Sequence, residues 1–207
     1  LEESLKEGKI MEDQINTACR RVLEAKYKLG LFSNPYKYGD TLRVKEQLYT
    51  AEHRSAARAI ASETFVLLKN ENHLLPLGLK GKIALVGPMA DARNNMCGMW
   101  SMACTASRHG TLLEGIRSAA GDKAEILYAK GSNVYEDAEM EKAAAGIRPL
   151  EHEDNRKLLD EALRVASRAD VIVAALGECA EMSGESASRT NLEIPDAQQN
   201  LLKALLK

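Results

Sequence analysis

Six apolar residues in a row, Val171-Ile172-Val173-Ala174-Ala175-Leu176, lie between a segment with helical patterning and a polar loop. A run this short, with no polar alternation, reads as a strand covered on both faces. Ile83-Ala84-Leu85-Val86, ending at Gly87-Pro88, has the same character and reads as a fully buried strand. Glu125-Ile126-Leu127-Tyr128-Ala129 is a further strand. Helical patterns separate the three. Residues 111–120 form one, closed by Gly121. Asp154 caps a longer one reaching residue 169, with Leu158, Leu159, Ala162, Leu163, Val165 and Ala166 on its inner side. Pro195, at a first helical position, opens a last helix to residue 207. Strands alternating with helices predict an α/β fold, with a mainly parallel sheet covered by helices on both faces. The chain ends in a helix that should return to a fourth strand, so the pattern reads as unfinished, a piece of something larger.

The N-terminal part has a different character. Over residues 11–29, Ile15, Cys19, Val22, Leu23 and Leu29 recur at helical steps, while Arg20, Arg21, Lys26 and Lys28 fall mostly between them. Gly30 can close this amphipathic helix. Asn34-Pro35 and Tyr38-Gly39-Asp40 are turn chemistry, so residues 31–44 read as a connector. Thr50 caps a helix over residues 51–64. Phe65-Val66-Leu67-Leu68 and Leu74-Leu75-Pro76-Leu77 read as a short extended pair flanking the polar turn Lys69-Asn70-Glu71-Asn72. The stripe on the first helix needs a partner, which is expected upstream of Leu1.

Composition removes whole classes of function. The chain carries 28 Lys+Arg against 30 Asp+Glu, a formal net charge of −2. No basic excess exists to neutralise phosphates, which argues against nucleic acid as a partner. No apolar run approaches the ~20 residues of a membrane span. Cys19, Cys97, Cys104 and Cys179 show no C-x-x-C pair and no companion His at zinc spacing, so they read as small buried or half-buried thiols. A Cys97–Cys104 disulfide is open only if a turn brings the two together. His53, His73, His109 and His152 are scattered and read as surface or capping residues. No metal and no cofactor is expected.

In sheets of this kind, ligands bind outside the carboxyl ends of the strands. Two of those ends carry unusual loops. Val86 is followed by Gly87-Pro88-Met89-Ala90-Asp91 and then Asn94-Asn95-Met96-Cys97-Gly98-Met99-Trp100-Ser101. Leu176 is followed by a loop holding Glu178, Glu181, Glu185 and Arg189. Neither has G-x-G-x-x-G or the Walker phosphate pattern, which disfavours a nucleotide site. Met96, Met99, Met102 and Met182 read as gap fillers near these loops.

Several motifs arrive in one order: Val66-Leu67-Leu68-Lys69-Asn70, Leu74-Leu75-Pro76-Leu77, residues 83–91, Gly98-Met99-Trp100-Ser101, and residues 182–189 continuing to Ile194-Pro195. Together they resemble glycoside hydrolase family 3, in its bacterial β-glucosidase branch, over nearly the whole chain. The resemblance implies a nucleophilic aspartate on a βα barrel and an acid/base residue on a six-stranded α/β sandwich. Residues 1–30 then look like the helical tail of the barrel, residues 31–49 like a linker, and residues 50–207 like the first part of the sandwich. The nucleophile and the later strands are expected outside this chain. The chain alone should therefore be inactive, and it should self-associate through its uncovered apolar surface.

The resemblance gives the acid/base role to Glu185, which Gly184 and small Ser and Ala residues flank, so that the backbone can approach a ligand closely. Glu178 reads as an acceptor that orders the loop or touches sugar, and Glu181 as a solvated charge. Ser183 is a candidate substrate contact. Arg189 either fixes the loop by pairing with a carboxylate or holds a substrate hydroxyl. Trp100, the single tryptophan, is either a platform for the leaving-group sugar or a side chain packed against the sandwich. The implied function is hydrolysis of terminal β-linked sugars from oligosaccharides or aryl and alkyl β-glycosides, by a retaining exo-acting enzyme. β-Glucosidase is favoured, with β-xylosidase open. The resemblance also implies export to a periplasm. The alternative, in another class, is a non-catalytic α/β module that binds a carbohydrate or a partner, since fold does not fix function.

Overall fold

Strand β1 (Gly81–Val86) pairs in parallel with β2 (Ala124–Ala129) on one side and β3 (Val171–Ala174) on the other, giving the order β2-β1-β3. These relationships come from a computed structural model, which describes residues 1–101, 103–145, 152–185 and 187–207. Met102 and Ser186, singled out in the sequence, lie outside the described residues. The chain divides into two compact units, Leu1–Glu71 and Asn72–Lys207.

The second unit holds the sheet. Ile83, Ala84, Leu85 and Val86 are all fully buried, as expected for a central strand between two parallel neighbours. Their side chains alternate between faces. Leu85 joins Ala90, Ala175 and Leu113, the last from helix α5 (Leu112–Ala120). On the opposite face, Ala84 and Val86 meet Ala162 and Val165 from helix α7 (Asn155–Ala166) and Leu201 from helix α8 (Asp196–Leu205). Burying one such Leu is worth about 2–3 kcal/mol. The sheet is thus covered on both faces.

Side-chain caps close the helix starts, at Asp154 as expected and also at Thr111, which stands just before α5 rather than as its first residue. The Thr111 hydroxyl accepts from Glu114 N–H at 3.2 Å, and the Glu114 carboxylate accepts from Thr111 N–H at 3.0 Å. Asp154 accepts from Lys157 N–H at 3.0 Å. Gly121, φ +50°, ends α5.

Several expectations fail in detail. Pro195 is the N-cap of α8, with extended ψ, rather than its first helical residue. Strand β3 is shorter than the apolar run and stands at a sheet edge, so Ile172 is 40 % exposed. Leu163 is exposed, on the outer side of α7, and α7 ends at Ala166 rather than at residue 169. Helix α6 (Ala138–Ala145) was not expected; Asp137 starts it by accepting from Met140 N–H at 2.8 Å.

The first unit consists of helices α1 (Glu2–Lys6), α2 (Glu12–Lys28), α3 (Leu42–Gln47) and α4 (Ala51–Glu63). Thr50 caps α4, accepting from His53 N–H at 3.2 Å. Helix α3 interrupts the expected connector, started by Asp40, which accepts from Leu42 N–H at 2.8 Å. None of these helices has a buried residue, and Val22, Leu23 and Leu29 of the α2 stripe are exposed. Phe65, Val66, Leu67 and Leu68 are also exposed and pair with no strand among the described residues. Among the described residues neither 65–68 nor 74–77 forms the expected strand, and a 3-10 turn, Glu71–His73, lies between them in the chain.

Candidate active site

Three loops converge at the carboxyl end of the sheet. The first begins at Gly87, whose φ of +119° and closeness to β3 leave no room for a side chain: a β-carbon there would lie 2.2 Å from the Ala175 carbonyl oxygen. Met89 N–H donates to Ala175 C=O at 3.2 Å, and Leu113 N–H donates to Ala90 C=O at 2.9 Å. The loop is therefore pinned to β3 on one side and to α5 on the other. Arg93 reinforces this by donating to the His109 carbonyl and to the Glu114 carboxylate. The Thr111 N–H and that guanidinium hold Glu114 below the usual carboxylate range, against a smaller opposing effect of burial.

The second loop follows β2. Asn133 is fully buried and fully used: its amide donates to Glu153 C=O at 2.7 Å and Asn155 Oδ1 at 2.6 Å, and its oxygen accepts from Glu153 N–H at 3.1 Å and Lys130 Nζ at 3.2 Å. Glu141, 1 % exposed, accepts from Val134 and Tyr135 N–H at 3.2 Å each and meets His152 Nδ1 at 3.1 Å. A cleft of about 260 Å³ opens between these two loops, lined by Asp91, Arg93, Tyr128, Lys130 and Glu153 among others. Burial, with a contribution from Asp91, pushes the Tyr128 phenol up, so it stays a protonated donor there.

The third loop, after β3, carries the predicted acid/base. Gln198 of α8, fully buried, holds its root: it accepts from Gly177 N–H at 2.8 Å and donates to Gly177 C=O at 2.7 Å and to Val134 C=O at 3.4 Å. Ala180 N–H donates to Asn95 Oδ1 at 2.8 Å, joining the third loop to the first. Cys179 and Met182 are buried with Val134, and burial raises the Cys179 thiol above its ordinary range. The single 3-10 turn Ala180–Met182 makes Glu181 half-buried, with one carboxylate oxygen enclosed, rather than the solvated charge expected.

Beyond that turn the predicted site residues appear. Ser183 is exposed, and its hydroxyl donates to Ala180 C=O at 3.4 Å. Gly184, φ +98°, is the seat of the first loop's tip: a β-carbon there would lie 2.8 Å from Met99 Cγ and 3.3 Å from Trp100 Nε1. Trp100 is 70 % exposed, so it is not packed into the sandwich. Glu185 is exposed on the turn that follows and makes no hydrogen bond or ion pair to another described residue. Trp100, Ser183 and Glu185 thus share one end of the sheet. Arg189 belongs to the base of the loop, where its guanidinium pairs with Glu178 and donates to Asn191 C=O at 3.1 Å and Glu193 C=O at 2.8 Å.

A disulfide joins Cys97 to Cys104, with the α-carbons 6.1 Å apart. His109 lies close enough for all three ligand atoms to fall within 4.8 Å, but the two sulfurs are bonded to each other and offer no thiolate to a metal. Among the described residues no helix is long and apolar enough to cross a membrane.

The polar clamps Asn133, Glu141 and Gln198 were missed by sequence reasoning. Gln198 had a signal: it interrupts the apolar face that Ala197 and Leu201 define on α8.

The chain is 40 % identical over 210 residues to the periplasmic beta-glucosidase of Salmonella typhimurium, covering 97 % of this chain and 27 % of that protein. It is 28 % identical to a beta-xylosidase of Formosa agariphila, covering 100 % of this chain and 27 % of that one. Among solved structures, the beta-glucosidase of Listeria innocua in complex with glucose superposes with a TM-score of 0.74 at 31 % identity, over 99 % of this chain and 25 % of that one. The chain therefore spans about a quarter of the length of the relatives it matches. Residues 65–207 match the glycosyl hydrolase family 3 C-terminal domain, and the chain belongs to that family.

Proposed function

We propose that this chain is the acid/base-bearing part of a retaining, exo-acting β-glycosidase that removes terminal β-linked sugars. The observation that carries the reading is that Glu185 is on an exposed turn at the carboxyl end of the sheet, next in the chain to Gly184, against which the exposed indole of Trp100 is seated. A retaining glycosidase needs two carboxyl groups about 5–5.5 Å apart. One attacks the anomeric carbon while the other protonates the departing oxygen, then removes a proton from water as that water opens the glycosyl-enzyme. Glu185 takes the second role. The nucleophile comes from a barrel domain elsewhere in a longer protein, with residues 1–30 as the barrel's tail and residues 31–49 as the linker.

The exposed Trp100 face suits the apolar face of the leaving-group sugar, with Ser183 beside it. Arg189 acts by tying Glu178 to the returning segment of the loop at Asn191 and Glu193. β-Glucosides are the favoured substrates, supported by the named activities of the Salmonella and Listeria relatives; the Formosa relative keeps β-xylosides open. Export to an oxidising compartment is supported by the periplasmic relative and by the Cys97–Cys104 disulfide. The exposed Val22, Leu23 and Leu29 stripe is covered by the barrel in the longer protein, and the chain by itself forms dimers or larger species through it.

Two measurements test this reading. The chain alone gives no turnover of an aryl β-glucoside; turnover scaling with its concentration would contradict the proposal. In the longer protein, Glu185→Gln slows substrates with poor leaving groups far more than those with good ones, because a good leaving group departs with little protonation. Equal losses across leaving groups would remove Glu185 from the acid role.

A further inference from the structure

Residues 87–96 of the first loop are held by hydrogen bonds to β3, α5 and the third loop. The tip beyond them is held differently. Trp100 is 70 % exposed, so burial does not fix it. Besides the Gly98 N–H bond to Asn95 C=O at 3.2 Å, two features restrict it: the Cys97–Cys104 bond, which closes a ring between those residues, and Gly184, whose missing side chain gives Met99 and Trp100 their seat.

We propose that the Cys97–Cys104 disulfide is a positioning device that holds Trp100 against the Glu185 loop and so sets the affinity for the leaving-group side of the substrate. This rests on the function proposed above. An exposed aromatic platform that must be ordered on binding loses affinity to the entropy of that ordering. A covalent ring of this length removes most of the alternative tip conformations before substrate arrives. The pairing of Ala180 N–H with Asn95 Oδ1 carries the order to the base of the third loop, two residues before the ring begins in the first. The device therefore acts on binding, and the proton transfer at Glu185 is left intact.

The test has one arm that needs no activity. Trp100 is the single tryptophan of the 207-residue chain, so its fluorescence reports on this tip alone. A phosphine reductant opens the bond: the phosphine takes up the oxygen of one water to become its oxide, and the two sulfurs leave as thiols. The fast component of the Trp100 anisotropy decay should grow on reduction, and also in a Cys97→Ser/Cys104→Ser variant. In the longer enzyme, the same variant should raise KM for a β-linked disaccharide by about three- to ten-fold with kcat within about two-fold, the cost of ordering a few freed residues. If the variant fails to fold, reduction of the folded wild type gives the same readouts. An unchanged anisotropy decay would overturn the proposal. So would faster decay with unchanged KM, or a loss confined to kcat. Failure of the parent reading appears separately, as equal losses across leaving groups in Glu185→Gln, with the anisotropy result unaffected.

Discussion

Replacing Gln198 with Ala should cost the second unit about 3–5 kcal/mol. The side chain is fully buried, and its amide bridges α8 to both peptide groups of Gly177 and to the Val134 carbonyl. The bonds at 2.8 and 2.7 Å are each worth about 1 kcal/mol net, rising toward 2–3 where the partner is left without a substitute. The 3.4 Å bond adds little. Truncation also leaves a cavity, worth about 1–2 kcal/mol for the few heavy atoms removed. Against a typical domain stability of about 5–15 kcal/mol, that is a large fraction. Gln198→Leu keeps the volume and loses only the bonds, so it should cost about 2–3 kcal/mol. Urea unfolding followed by far-ultraviolet circular dichroism measures both, with the slope checked for constancy. Hydrogen exchange localises the effect, because the Gly177 amide should lose about ten-fold protection for each 1.4 kcal/mol of local opening. An Ala variant within 1 kcal/mol of wild type, with Gly177 still protected, would refute the assignment of Gln198 as the clamp between the second and third loops.

Gly87→Ala should destabilise by at least about 2 kcal/mol or prevent folding, since φ is +119° and the new carbon would meet the Ala175 carbonyl oxygen at 2.2 Å; thermal unfolding reads it, and a neutral substitution would contradict the close approach of β1 and β3. Bonding to the Lys157 N–H holds Asp154 below its ordinary 3.8. A lowered folded value means that the ionised cap stabilises above the unfolded value and fades as pH falls through the folded one. Asp154→Asn should therefore lose part of the acid-side decline of stability while keeping its cap; a variant with the wild-type pH profile below 4 would refute this. A thiol reagent should modify exposed Cys19 quickly and buried Cys179, whose thiol burial pushes up, only on unfolding; rapid labelling of both in the folded chain would contradict the packing of Cys179 with Val134 and Met182.

What the sequence revealed was decided by local chemistry. Thr50 and Asp154 are oxygen-bearing residues whose caps close within three positions, so their helices were legible from the chain alone. The unbroken apolar run at Ile83 likewise admits one place, the centre of the sheet. Where the outcome depends on distant partners, reading failed. Phe65 to Leu68 has strand composition but meets no strand among the described residues, and Ile172 sits in an apolar run yet at an edge. Of the site, the two loops were visible because they follow unbroken apolar runs. The clamps were not, because Asn133, Glu141 and Gln198 are buried polar residues whose partners lie on other loops. The seat at Gly184 was equally hidden: its glycine suggested close approach to a ligand, whereas Met99 and Trp100 of the same chain fill that space.

The acid/base role proposed for Glu185 is tested most directly by rescue with azide in the longer protein proposed above. Glu185→Gln removes the base that activates water, so the glycosyl-enzyme should accumulate and turnover should fall by about 10²–10⁴-fold. Azide attacks without base assistance, so it should restore turnover and release a β-glycosyl azide of retained configuration. Glu178→Gln, which breaks the pair with Arg189, should disturb loop order and affinity and show no rescue. Rescue of Glu178→Gln with Glu185→Gln near wild type would move the role to the strand-end glutamate, and rescue of neither would place the acid outside this chain.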